Sequence, residues 1–143
     1  MEAIDWLPYG TRSYYPHMGT EDAATWERFI SKYPSAYEQV AYDVAVGEGA
    51  SFNTIVNPAT GGHVNKLYQR RIDVVAKDGG SVHLIEVKPF VTTSALGQIQ
   101  SYEKLFMRDF PQLDISNLII VTGHVAPDME FLLEGSGVEL VVV

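Results

Sequence analysis

Apolar positions recur along this chain in blocks whose period changes. Trp26, Phe29, Ile30 and Tyr33 repeat at helical spacing behind Thr20, an N-cap candidate, with Glu21 and Asp22 in the first turn; Pro34 closes this helix. Tyr37 to Val46 reads as a strand, with Val40, Tyr42, Val44 and Val46 expected on one face. Gly47, Gly49, Asn53, Asn57, Pro58, Gly61 and Gly62 mark a long loop of the kind that often carries function. Leu67 to Lys77 is a second strand, Asp78-Gly79-Gly80-Ser81 a turn, and Val82 to Lys88 a third strand, stopped by Pro89.

Ser94 can cap a helix to about Arg108, with Leu96, Ile99, Tyr102, Leu105 and Phe106 inward. Ile115 to Thr122 is a β-branched run suited to a buried strand. A short helix around Asp128 to Leu133 and a strand from Val138 to Val143 end the chain. The predicted order is α-β-β-β-α-β-α-β in a single domain over residues 20–143. Residues 1–19 hold Trp6, Pro8, Tyr9, Tyr14, Tyr15 and Pro16 without any period. They read as an irregular aromatic arm that packs on the body or meets a partner chain.

Composition narrows the setting. At 143 residues and 46% hydrophobic content one globular domain is expected. The absence of cysteine excludes disulfides and thiolate zinc sites. Glu2 and Asp5 and the lack of an apolar stretch argue against a signal peptide, and no apolar run is long enough to span a bilayer. A soluble, cytoplasmic protein is expected.

The net charge of −8 is unfavourable for a nucleic-acid binder as a whole, since phosphate contacts dominate such affinity. Its distribution changes the picture. Lys66, Arg70, Arg71, Lys77 and Lys88 place half of the ten basic residues in one stretch. From Asp109 to the end there are six acidic residues and no Lys or Arg. One basic working side and one acidic side would follow; a solvated acidic protein with incidental basic residues is the alternative.

The turn supplies the sharpest inference. If Gly79-Gly80 form the loop, Asp78 pairs with Ser81, and counting back sets Asp73 opposite Glu86. If Asp78-Gly79 form it instead, Asp73 opposes Leu84 and Glu86 becomes its diagonal neighbour on the same face. Alternation puts Lys88 on the face of Glu86 and Arg71 on that of Asp73. Two carboxylates so close need a cation, a shared proton or a lysine beside them. Such a pair next to a lysine can hold Mg²⁺, activate a water and steady charge on a phosphate. A surface carboxylate pair neutralised by Arg71 and Lys88 is the competing explanation. The apolar neighbours Ile72, Val74, Leu84, Ile85 and Val87 favour central strands, where charge is costly unless used.

Arg71-Ile72-Asp73, then Ile85-Glu86-Val87-Lys88-Pro89, then Gly97-Gln98 with Tyr102 one turn on, resembles the PD-(D/E)XK nuclease superfamily. The resemblance spans roughly residues 20–123. Ile72 stands where that motif has proline. The pattern Trp26, Phe29, Tyr42-Asp43-Val44, Val46-Gly47 is similar to small phage proteins of the same superfamily.

The resemblance implies a restriction-endonuclease-like three-layer α/β sandwich, a central mixed sheet flanked by helices. It implies Asp73 as central metal ligand and Glu86 as the second, with the Val87 carbonyl completing the shell around Mg²⁺ or Mn²⁺. Lys88 would orient or deprotonate the attacking water, Gln98 would sit nearby, and Tyr102 would pack or hydrogen-bond beside the site. Glu27 is the candidate for an acidic residue on the first helix, with Glu38 a rival. Lys66, Arg70 and Arg71 would face the DNA backbone.

His17, His63, His83 and His124 lack metal-ligand spacing. His83 is expected on the face opposite Glu86, where packing explains it, and His63 lies in the long loop.

Two functions compete. The first is a metal-dependent deoxyribonuclease. The second is a phage virion assembly protein, for example of the head-tail connection, that keeps the nuclease fold without its chemistry. The second expects a homo-oligomer or phage structural partners met through the N-terminal arm, and a place in the virion rather than the host cytoplasm.

Overall fold

The computed structural model describes residues 3–48 and 69–143. Its elements are β1 (Leu7–Pro8), α1 (Thr20–Lys32), β2 (Gln39–Val46), β3 (Arg70–Asp78), β4 (Ser81–Phe90), α2 (Thr93–Asp109), β5 (Asp114–His124), α3 (Pro127–Leu133) and β6 (Val138–Val142). The long loop expected after β2, with Lys66 and His63, lies outside the described residues from position 49 on.

The six strands form one mixed sheet in chain order, β1-β2-β3-β4-β5-β6. The first four run antiparallel to their neighbours, and β4, β5 and β6 are parallel. Parallel neighbours need crossovers, and α2 and α3 supply them. Both helices pack on one face, where Ala95, Ile99, Tyr102, Phe106, Met129 and Leu133 meet Ile72, Leu84, Leu118 and Ile120. On the other face, α1 packs Trp26, Phe29 and Ile30 on Val40, Val74, Ile85, Val87, Ile119 and Val121. This is the three-layer α/β sandwich expected above.

The N-terminal arm is less irregular than its sequence suggests. Leu7–Pro8 joins the sheet edge as β1, opposite Gln39 and Val40. Tyr9 lies edge-on to Trp26 and Tyr37, and Lys77 sits 4.5 Å from the Trp6 ring centre. Lys77 is thereby committed to the arm. Helix α1 is capped by Gly19 rather than Thr20; the Asp22 carboxylate reaches back to accept the Gly19 N–H at 3.2 Å.

Two strand readings are corrected. Val40, Tyr42, Val44 and Val46 do not share a face: Val40 and Tyr42 join the α1 layer, Val44 and Val46 the α2 layer. The break is Asp43, whose φ of 54° shifts the alternation by one residue. Its neighbour β3 switches at the same level, with Ile72 on the α2 side and Val74 on the α1 side. Second, β4 does not stop at Pro89 but runs to Phe90, paired with β5. The reason lies in how the sheet divides.

Candidate functional site

The hairpin register is the one counted from Gly79-Gly80. Asp78 pairs with Ser81, and the ladder runs back through Val75↔Leu84 to Val74↔Ile85. Gly79 alone of the two turn residues has positive φ, 61°, as a type II′ hairpin turn requires. The next pair in this register is Asp73 opposite Glu86, and there the β3–β4 ladder ends.

Beyond that level β3 stays paired with β2 as far as Arg70, while β4 stays paired with β5 as far as Phe90. The two strands therefore part, leaving a fork, or cleft, between their backbones. In an antiparallel ladder the next hydrogen-bonded pair would be Ile72 with Val87. Instead the Val87 N–H donates to Asp73 Oδ2 at 2.8 Å. The carboxylate takes over an acceptor role that the backbone has given up. Pro89 follows from the same geometry. Its nitrogen points to the side that β3 has left, so its missing N–H removes no ladder bond.

Glu86 lies on this cleft between Ile85 and Val87, which face α1, so its own side chain faces α2. It is 2% exposed. Its pKa is raised far above the ordinary carboxylate range. Burial is the largest cause, followed by hydrogen bonding with Asp73 and the charge of Asp73. The Lys88 ammonium and a hydrogen bond from Tyr102 pull the other way. Tyr102, buried on α2, has its phenol pushed up by burial and by the charges of Glu86 and Asp73, while Arg70 opposes the shift.

Asp73, Lys88 and Tyr102 thus lie within electrostatic reach of Glu86, and Arg70 within reach of Tyr102, gathered from β3, β4 and α2. Gln98 lies one helical turn before Tyr102. Glu86 Oε2 and Gln98 Oε1 are both buried and have no hydrogen-bond partner. Asp43 Oδ1 and Arg12 Nε are likewise without a hydrogen-bond partner among the described residues, and such atoms are unusual, since buried polar atoms are nearly always paired. The Glu86 and Gln98 oxygens are both acceptors, so what would satisfy them is a donor or a cation.

Other candidates lie elsewhere. Glu27 sits on α1, the layer across the sheet from Tyr102, where the Tyr15 phenol is raised chiefly by burial and further by the Glu27 charge. Glu38 precedes β2 at the turn end of the sheet, its carbonyl accepting from the Tyr9 N–H at 2.9 Å. Arg71 does not neutralise Glu86; its partner is Asp43, with Nε 3.7 Å from Oδ1. His83 is on the α1 side, its Nδ1 2.6 Å from the Tyr37 hydroxyl.

Asp43 is the residue that sequence reasoning missed. Its side chain is 14% exposed, and the Asp73 charge is among the causes raising its pKa, after burial. The available signal was an aspartate in the middle of an apolar strand, between Tyr42 and Val44.

Whether a divalent cation suits this cleft can be judged from its oxygens. Among the described residues no group of three or more His, Cys, Asp or Glu is assembled for a metal. Asp73 and Glu86 supply two carboxylates, and Mg²⁺ commonly takes one or two with water and neutral oxygens for the rest. The orphaned Glu86 Oε2 is the atom that such an ion would satisfy. The residues present therefore fit.

No protein-family model matches the chain, and no curated protein matches it. Among solved structures the chain is similar to EndoMS in a complex with double-stranded DNA, with a TM-score of 0.48 and 18% identity. The match covers 93% of this chain and 48% of EndoMS, so the chain spans about half the length of that protein. No helix among the described residues is long and apolar enough to cross a membrane.

Proposed function

We propose that this protein hydrolyses phosphodiester bonds in DNA with a divalent cation, as a nuclease of the PD-(D/E)XK type on a restriction-endonuclease-like fold. The observation that carries the reading is Glu86: a carboxyl group 2% exposed, with an unpartnered oxygen, beside Asp73 where two strands part. A buried carboxyl group with an unsatisfied oxygen destabilises the fold unless something enters to satisfy it.

Asp73 and Glu86 would hold Mg²⁺ or Mn²⁺, with the Val87 carbonyl as a further oxygen ligand. Bound there, the ion would act as a Lewis acid toward the phosphate. The chain's own groups do the rest. The Val87 N–H fixes Asp73 through Oδ2. Tyr102, buried on α2, acts with Lys88 to favour the ionised form of Glu86. Lys88, next but one to Glu86 and on the same strand face, orients the attacking water and steadies the charge that develops on phosphorus-bound oxygens. The Gln98 amide lies on the α2 wall, where its oxygen can receive a hydrogen bond from water. Arg70, exposed at the start of β3 and close enough to act on Tyr102, offers a cation to the DNA backbone.

The test is direct. Purified protein is incubated with supercoiled plasmid and linear DNA in Mg²⁺, in Mn²⁺ and in EDTA, beside Asp73→Ala and Lys88→Ala. Metal-dependent cleavage that both substitutions abolish is the expected result. Absence of cleavage with either ion rejects the enzyme, and together with a ring or particle-bound state by light scattering it favours an assembly role.

A further inference from the structure

Asp43 adopts a backbone conformation that residues other than glycine rarely take, and such strain persists only where the surroundings enforce it. Among the described residues the other non-glycine position with positive φ is His17, at 59°. The two meet: His17 Nε2 lies 3.2 Å from Asp43 Oδ2. From the other side Arg71 Nη1 donates to the Asp43 main-chain carbonyl at 3.3 Å, with its Nε 3.7 Å from Oδ1. Asp43 and Arg71 together line a cavity of about 180 Å³ between β2, the N-terminal arm at Ile4 and Asp5, and Phe110. The Arg71 side chain remains 42% exposed.

A third carboxylate beside Asp73 is electrostatically unfavourable in a chain of net charge −8 that takes a polyanion as substrate. It becomes intelligible if its task is to hold a cation in place. Resting on the nuclease reading above, we propose that Asp43 is a positioning residue. It holds the Arg71 guanidinium against β2 at the exposed start of β3, so that the outer edge of that planar fork grips a backbone phosphate of the bound DNA. Arginine suits this double duty because its donors point in fixed directions, one set to Asp43 and another to the phosphate.

The experiment measures binding of a fluorescein-labelled DNA duplex by anisotropy in EDTA, so that no cleavage intervenes. Asp43→Asn is the informative variant, because asparagine tolerates the left-handed backbone and removes only the charge. Simple electrostatics predicts that removing an anion tightens binding to DNA. Positioning predicts the reverse: Asp43→Asn weakens binding about tenfold, and the loss disappears in an Arg71→Ala background. Arg71→Lys, at an exposed position that does not threaten the fold, weakens binding by a similar factor because the fork is lost.

Unchanged or tighter binding by Asp43→Asn overturns the proposal, as does an equal loss in the Arg71→Ala background or a neutral Arg71→Lys. A wild-type protein that binds DNA with this dependence but does not cut it removes the nuclease reading and leaves the positioning role standing. One that cleaves DNA while Asp43→Asn binds normally does the opposite. Failure of the wild type to bind DNA at all overturns both.

Discussion

The two ends of the β3–β4 hairpin carry polar clusters of similar composition and opposite condition. At the turn end, Tyr37, His83 and Asp78 form a closed chain: the Tyr37 hydroxyl is 2.6 Å from His83 Nδ1, and His83 Nε2 is 3.0 Å from Asp78 Oδ2. At the open end, Asp73 and Glu86 crowd together, and Glu86 Oε2 and Gln98 Oε1 find no partner. A closed hydrogen-bonded chain holds strands together and needs nothing more. An unsatisfied one keeps an unfavourable free energy that a ligand can relieve. The contrast separates the polar groups that serve the fold from those available for chemistry.

The largest effect that would break this contrast is on activity. Asp73→Ala or Lys88→Ala should lower the rate of plasmid nicking on the order of a thousandfold, about 4 kcal/mol in barrier height. Substitutions at the turn end should leave that rate within about twofold. A comparable rate loss on replacing His83 would mean that the two ends are not functionally distinct.

Next comes the stability of the metal-free protein. The Glu86 pKa is raised on folding from an ordinary value of 4.5. The folded state therefore keeps a proton that the unfolded chain releases, and its contribution is full below that value and fades as pH rises through the neutral range. Glu86→Gln mimics the protonated form. In EDTA it should stabilise the protein at pH 8 by about 2 kcal/mol and flatten the decline of Tm with pH. A variant less stable than wild type at that pH would show that the carboxyl group is not strained.

A divalent ion should act in the same direction on the wild type. Ten times its dissociation constant of Mg²⁺ adds about 1.4 kcal/mol to stability, read as a rise in Tm, and this gain should be much reduced in Glu86→Gln. An equal rise in both proteins would put the ion elsewhere.

The smallest effect belongs to the closed end. Tyr37→Phe removes one partner of His83 and should destabilise the fold by about 1 kcal/mol in chemical denaturation, with nicking unchanged.

Local rules explain why so much of the open end was legible beforehand. The apolar period marked Trp26, Phe29 and Ile30 as one helix face, and all three are buried against the sheet. A two-residue turn fixes register by counting, so the sequence narrowed Asp73 to two registers, both with Glu86 on its face, and the structure selects the one counted from Gly79-Gly80. Lys88 followed from alternation along one strand. Tyr102 entered through a resemblance in its helix rather than through geometry, and Glu27 by the same route, yet Tyr102 shares the α2 layer with the cleft and Glu27 lies across the sheet.

What the chain order could not contain is the point at which neighbouring strands separate. That depends on β3 holding to β2 while β4 is drawn to β5, a competition between pairings far apart in sequence. Only the assembled sheet ends the β3–β4 ladder at Val74↔Ile85, lets the Asp73 carboxylate replace a backbone acceptor, and makes Pro89 harmless inside a strand. The face switch at Asp43 is likewise a tertiary outcome. Its positive φ is sustained by His17 from the arm and Arg71 from β3, contacts that no periodicity in Tyr37 to Val46 encodes. Sequence by itself set that Asp73 and Glu86 share a face on either side of the turn, because that is counting over a short stretch. Tertiary structure decided that those residues border an opening rather than a closed ladder, because strand pairing is a sum over the whole sheet.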